Sequence, residues 1–167
     1  MNIYLITGKA GSGKNHLANI LKEKLNNSVI TSLSKYIKII AIELGKWDGN
    51  DDNKPREFLQ TTGDLMRAED VNFLTKRIVD DIKIYKELGI ENVIISDVRL
   101  INEIEYLKKT NYNIITIRVN SNTSNRVLTD SEKNHITEIE LDNYNDFDYI
   151  IDNNNMNNII DEIVKGR

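Results

Sequence analysis

The sequence predicts an α/β fold of three layers, a mainly parallel sheet with helices on both faces. Short apolar runs suited to buried strands alternate with longer segments of helical period. The first such run leads through a glycine-rich turn into an amphipathic helix. No repeat or linker divides the 167 residues, so one domain over 1–167 is expected.

Ile3–Ile6 is apolar throughout, as a strand buried on both faces must be. Glycines from Gly8 to Gly13 make the turn, and Leu17, Ile20, Leu21 and Leu25 then recur at helical spacing. Val29–Thr31 reads as a second strand. Lys35–Leu44 reads as a helix that Gly45 ends with a left-handed cap. Trp47–Lys54 is polar and acidic, an exposed loop. Pro55 opens the next helix at its first position, and helical character runs to Leu88 with a break near Glu69-Asp70. Val71, Leu74, Ile78, Ile82 and Tyr85 trace the inner face of its second half. Asn92–Ser96 is the best central strand and ends on Asp97; Leu100, Ile104 and Leu107 mark a helix after it. Residues 114–119 form a further strand, 120–134 a polar stretch expected to be mobile, Phe147–Ile151 a last strand, and Ile159–Val164 a closing helix.

Composition removes several function classes. There is no cysteine, which excludes disulfides, zinc–thiolate sites and cysteine nucleophiles. Two histidines make a histidine metal cluster a poor expectation. The net charge of −4 argues against a general nucleic-acid binder. No apolar stretch reaches the length of a membrane span, so a cytoplasmic protein without a membrane partner is expected, in the host cytoplasm if viral. A monomer and a homodimer are both compatible with this composition.

Four segments carry chemistry. Gly8-Lys9-Ala10-Gly11-Ser12-Gly13-Lys14 matches the phosphate-binding pattern G-x-x-x-x-G-K, set between a strand and a helix as that pattern requires. Its glycines let successive backbone N–H groups face a phosphate, the helix N-terminus adds positive potential, and Lys14 reaches the β and γ phosphates. Asn15 stands where a Ser or Thr usually holds Mg²⁺; an amide oxygen can ligate magnesium directly or through water. Ser96-Asp97-Val98-Arg99 closes a strand at the end where open α/β sheets bind ligands. Asp97 suits a magnesium-bound water or an acceptor and Arg99 suits transferring charge; an Asp97–Arg99 pair capping the next helix is the plainer alternative. Arg56, Gln60, Gly63 and Arg67 fall near one helical face, suited to a phosphate and a base edge, or simply to solvent. His135-Ile136-Thr137-Glu138 precedes Leu141-Asp142, where Thr137 with Glu140 fits a capping box.

Together these segments resemble the phage-type deoxynucleoside monophosphate kinases, a branch of the P-loop nucleoside monophosphate kinases related to animal phosphomevalonate kinase. The resemblance covers nearly the whole chain in order: the glycine loop, whose family counterpart often carries Asp where this chain has Asn15; Ser34-Lys35-Tyr36-Ile37-Lys38; Pro55 through Gly63; Asp97-Val98-Arg99 through Glu103; and His135 through Asp142 followed by Phe147 through Asp152. It implies a five-stranded parallel P-loop kinase fold, with an acceptor-binding helical region at about 33–88 and a small lid at about 120–137.

The implied activity is transfer of phosphate from ATP, with Mg²⁺, to a deoxynucleoside monophosphate. Gly8, Lys9, Ala10, Gly11, Ser12, Gly13, Lys14 and Asn15 would hold the ATP phosphates. Ser34, Lys38, Arg56, Gln60, Gly63, Arg67 and Arg99 would face the acceptor. Lys14, Asp97, Arg99 and Arg126 of the lid would serve catalysis, and Asn15 and Asp97 the metal. The alternatives are a kinase for a non-nucleotide phosphate such as phosphomevalonate, and a nucleotide-binding module without turnover.

Overall fold

The computed structural model describes residues 1–120, 129, 134–152 and 155–166. The elements are β1 (Asn2–Thr7), α1 (Lys14–Lys24), β2 (Ser28–Thr31), α2 (Lys35–Glu43), α3 (Arg56–Glu69), α4 (Phe73–Glu87), β3 (Asn92–Val98), α5 (Ile101–Lys108), β4 (Asn113–Val119), α6 (Ile136–Ile139), β5 (Tyr149–Ile151) and α7 (Met156–Lys165). Short 3₁₀ turns occupy Asp51–Asn53 and Glu140–Asn143. The five strands form one sheet in the order β2-β3-β1-β4-β5, and every pairing is parallel.

The period of two in β1 divides the core. Ile3 and Leu5 join Leu33, Ile37, Leu74, Ile78 and Ile104 on the face covered by α2, α4 and α5. Tyr4 and Ile6 join Leu17, Leu21, Ile160 and Ile163 on the face covered by α1 and α7. Burial on both faces explains why β1 and β3 are apolar in continuous runs instead of alternating.

An asparagine ladder fixes the register of the three central strands at their amino ends. Asn2 Nδ2 donates to Asn92 Oδ1 at 3.0 Å, and Asn113 Nδ2 donates to Asn2 Oδ1 at 2.9 Å. Asn92 Nδ2 closes the row on the Asn26 carbonyl at 2.7 Å. With the amino ends level, Thr7 of β1 pairs with Val98 and Arg118, so the chain leaves β1, β3 and β4 side by side at the opposite edge. That edge carries the candidate site.

Three sequence expectations change in detail. Val71 lies in the bend between α3 and α4 and is 55% exposed, because Asp70 is extended and its carboxylate accepts from the Asn72 N–H and Lys76; the inner face starts at Leu74. The last strand starts at Tyr149, since Phe147 is packed edge-on against Tyr144 and the Asp148 carboxylate takes the Thr116 N–H and hydroxyl. The capping box at Thr137 and Glu140 does not form. His135 caps α6, accepting the Thr137 N–H on Nδ1, while Glu140 accepts from the Ile101 N–H at 2.9 Å.

Candidate functional site

The turn from β1 into α1 is made by backbone conformations that side chains resist. Gly8, Gly11 and Gly13 have φ of 145°, 79° and 90°. A Cβ on Gly8 would stand 2.5 Å from the Val119 carbonyl oxygen and 2.6 Å from Ser12 Oγ, so only glycine lets the loop lie this close to β4. Lys14 folds back over the loop, its ammonium donating to the Gly8 and Lys9 carbonyls at 2.7 and 2.6 Å. Burial, aided by the Arg99 charge, lowers its pKa from 10.5 to about 7. A cation held at such cost is poised to gain from an anion arriving beside it.

Asp97 and Arg99, at the end of β3 and just beyond it, turn to different partners. Asp97 accepts from the Leu33 N–H at 2.7 Å, the Ser34 N–H at 3.1 Å and the Ser34 hydroxyl at 2.5 Å, fastening the start of α2 to the sheet. Arg99 Nη1 donates to Glu138 Oε1 at 2.7 Å. The capping Asp97–Arg99 pair weighed from the sequence is replaced by these contacts. Glu103 caps α5 instead, accepting from the Arg99 and Leu100 N–H groups at 2.8 and 3.0 Å. Its pKa is raised from 4.5 to about 7 because burial outweighs those bonds and the nearby Arg67 guanidinium.

A cleft of about 410 Å³ joins this end of the sheet to α2 and α3. Lys14 and Asn15 line it from the start of α1, Asp97 and Arg99 from the end of β3 and beyond, and Ser34, Lys38, Arg56, Gln60 and Arg67 from α2, α3 and the residue before α2. Leu33, Ile37, Leu59 and Leu74 supply apolar lining. Among the charged lining residues, six are Lys or Arg and four are Asp or Glu. That positive balance, inside a chain of net charge −4, favours an anionic ligand.

The structure therefore brings most of the sequence candidates to one cleft, with instructive departures. Ala10, Gly11 and Gly13 line it with Lys14 and Asn15, whereas Lys9 turns away to pair with Asp142 and Ser12 Oγ is buried beneath the loop. Gly63 is buried under Arg67: a Cβ there would meet Arg67 Nη1 at 3.0 Å and Ile37 Cδ1 at 3.3 Å, so its part is to let Arg67 lie flat on α3. Arg126, and most of the stretch expected to form a lid, lie outside the described residues.

Sequence reasoning missed Lys54, Glu103 and the position of Glu138. Lys54 ends an acidic loop and carries no pattern of its own, yet it lines the cleft, with burial and the Lys38 charge lowering its pKa. Glu103 had two signals, its place closing the Asp97–Glu103 run of the resemblance and its place as third residue of α5, and neither gave it a part in the site. Glu138 belongs to the His135–Glu138 segment, but nothing in that segment announces its reach to the glycine loop, more than a hundred residues away in sequence.

Among the described residues no group of three or more His, Asp or Glu is placed to hold a metal, which leaves no all-protein cage. The donor set fits the way Mg²⁺ is usually held, through one or two protein oxygens with waters and phosphates. A carboxylate offers about four lone-pair sites. The Leu33 and Ser34 bonds engage three at Asp97, leaving room for a bound water and not for bidentate ligation.

No family model matches the chain. Over 142 residues it is 31% identical to the uncharacterized protein ORF77 of Ictalurid herpesvirus 1 (strain Auburn), a match covering 83% of this chain and 58% of that protein. The chain thus spans little more than half the length of the relative it matches. Among the described residues, no helix is long and apolar enough to cross a membrane.

Proposed function

We propose that the protein is an ATP-dependent kinase whose acceptor is itself a phosphate ester, a deoxynucleoside monophosphate. One observation carries this reading: a glycine loop with a buried, costly ammonium shares a single cleft with a second cationic wall on α2 and α3. A hydrolase needs the first half only. A phosphate-to-phosphate transferase needs both, since two anions must be held against their mutual repulsion.

In the proposed reaction the glycine loop and Lys14 hold the ATP phosphates, while Lys38, Arg56 and Arg67 hold the acceptor phosphate. The acceptor oxygen attacks the γ-phosphorus in line. A P–O bond forms to that oxygen, the bond to the β,γ-bridging oxygen breaks, and ADP leaves with the electron pair. The acceptor phosphate is already anionic near neutral pH, so positioning and charge neutralisation carry the catalysis and no strong base is needed. Lys14 and Arg99 offset the charge on the transferring group. Asn15, and Asp97 through water, are the groups that would hold Mg²⁺, whose part is to offset phosphate charge. Gln60 and the apolar lining of Leu33, Ile37, Leu59 and Leu74 give a flat, partly polar base somewhere to rest, which favours a nucleotide over an aliphatic phosphate. Such an activity would draw on the cytoplasmic ATP pool.

The test is transfer of label from γ-labelled ATP, with Mg²⁺, to the four common deoxynucleoside monophosphates, their ribose counterparts and phosphomevalonate. Diphosphate formed from one or more deoxynucleotides supports the proposal. Transfer to phosphomevalonate alone reassigns the acceptor, and ATP binding without transfer to any acceptor refutes the kinase.

A further inference from the structure

The cradle formed by the glycine loop already holds an anion, and the anion belongs to the protein. Glu138 Oε2 accepts the Ala10 N–H at 3.0 Å, while Oε1 accepts from Arg99 Nη1 at 2.7 Å. The Glu138 side chain is 8% exposed, and its charge also favours the protonated form of Lys14. A backbone donor of the loop and the arginine just beyond β3 thus converge on one carboxylate, as they would on a phosphate, and the loop lysine feels its charge.

We infer that Glu138 is an internal stand-in for phosphate, which an incoming polyphosphate must displace to reach Ala10 and Arg99. The inference rests on the reading of the loop as a phosphate site. It adds that a polyphosphate competes with the protein's own anion for this cradle, and that displacement is felt elsewhere. Glu138 sits on α6, whose surroundings are clamped to four parts of the molecule. His135 Nε2 meets Asp64 of α3 at 2.9 Å; with Nδ1 accepting from Thr137, Nε2 carries the proton and donates. Glu140 accepts from the start of α5, and Asp142 pairs with both Lys9 and Arg118. Expelling Glu138 therefore loads a segment tied both to the glycine loop and to α3. Filling the loop end of the cleft and rearranging the α3 end are coupled through one short helix.

The experiment is calorimetric titration of the wild-type protein, Glu138→Gln and Glu105→Gln with inorganic pyrophosphate and with ADP; Glu105 is exposed on α5. Both variants remove one negative charge, but only the first removes it from the cradle. The expected result is affinity about tenfold higher for Glu138→Gln, with Glu105→Gln unchanged from wild type. Equal or weaker binding by Glu138→Gln overturns the inference, as does an equal gain in Glu105→Gln, which would mark a general charge effect. If neither wild type nor Glu138→Gln binds pyrophosphate or ADP, the reading of the loop as a phosphate site fails and takes the inference with it. A measurement on the wild type alone guards against a variant that does not fold. Saturating pyrophosphate must shift the carboxyl carbon signal of Glu138 and the amide signal of Ala10; a shift in Ala10 with Glu138 unmoved overturns displacement.

Discussion

At the glycine-loop end of the cleft, eight consecutive residues, Gly8 to Asn15, build the site chiefly from backbone and a single ammonium. At the α2–α3 end, Ser34, Lys38, Lys54, Arg56, Gln60 and Arg67 arrive from two helices and the segments before them and contribute side chains. The first end is a conformation; the second is a convergence. A conformation fails when a Cβ is added and tolerates changes in the side chains around it. A convergence fails one side chain at a time.

The largest expected effect tests the one side chain on which the glycine-loop end depends. Lys14→Ala should lower the rate of phosphoryl transfer by at least about 100-fold, the scale seen when one preorganised charge-stabilising donor is removed. Its thermal midpoint should hold or rise near pH 7, because the ammonium it removes is carried at a cost to the fold. Transfer surviving within a few-fold of wild type would dissolve the contrast, since this end would then need neither its lysine nor the charge it brings.

Gly8→Ala is the next largest, and it is where backbone matters most. The added methyl would stand 2.5 Å from the Val119 carbonyl at a φ of 145°. Strain of about 1–3 kcal/mol is expected, seen as a midpoint lowered on the order of 5 °C, together with lost ADP binding. Lys9→Ala, one residue on, removes only an exposed pair with Asp142 and should leave ADP binding near wild type. Calorimetry on this pair of neighbours would show whether the end is built of backbone or of side chains.

The same division explains what was legible in the sequence. The strand, glycine loop and helix from Ile3 to Leu25 were readable because the spacing of glycines and apolar residues is itself the structural cause. Apolar continuity likewise placed β3, which runs one residue past the expected end at Asp97, to Val98. Gly63 carries a weaker signal: the resemblance gives it a place facing the acceptor, and the structure shows it packed beneath Arg67. Lys54 was illegible, because a lysine at the end of a polar loop looks the same whether it faces solvent or a cleft. The reach of Glu138 was illegible for a stronger reason. Its contacts to Ala10 and Arg99 cross 128 and 39 residues, and only the docking of α6 on the sheet edge creates them.

Glu103 joins the two ends, and its titration offers a third measurement. Its pKa is raised from 4.5 to about 7 by burial, so between those values the folded chain keeps a proton that the unfolded chain has released. Stability should fall as pH rises through that window. Lys14 has the opposite course. With its pKa lowered from 10.5 to about 7, the unfolded chain holds the extra proton above pH 7, and stability recovers as pH rises further. The two contributions together give a minimum near pH 7 in the thermal midpoint of the ligand-free protein. Glu103→Gln should flatten the falling limb by a few degrees and leave the rising limb in place. A midpoint profile unchanged by Glu103→Gln would mean that the carboxylate is solvated and Arg67 is held by something else.

The smallest expected effect is the one that bears most directly on the acceptor. Gln60 lines the cleft beside residues able to hold a phosphate, and its amide can both donate and accept. If it reads a base edge, Gln60→Ala removes one hydrogen bond worth about 1 kcal/mol, and KM for the preferred nucleotide rises about fivefold. ADP binding at the glycine loop should not change, because no residue of that loop is altered. Comparison among acceptors then separates two roles for the same amide. A rise confined to some bases assigns Gln60 to base reading, whereas an equal rise for every phosphate ester assigns it to the phosphate. No rise for any acceptor would place the nucleotide elsewhere in the cleft, and the convergence on α3 would have to be explained by Arg56 and Arg67 without it.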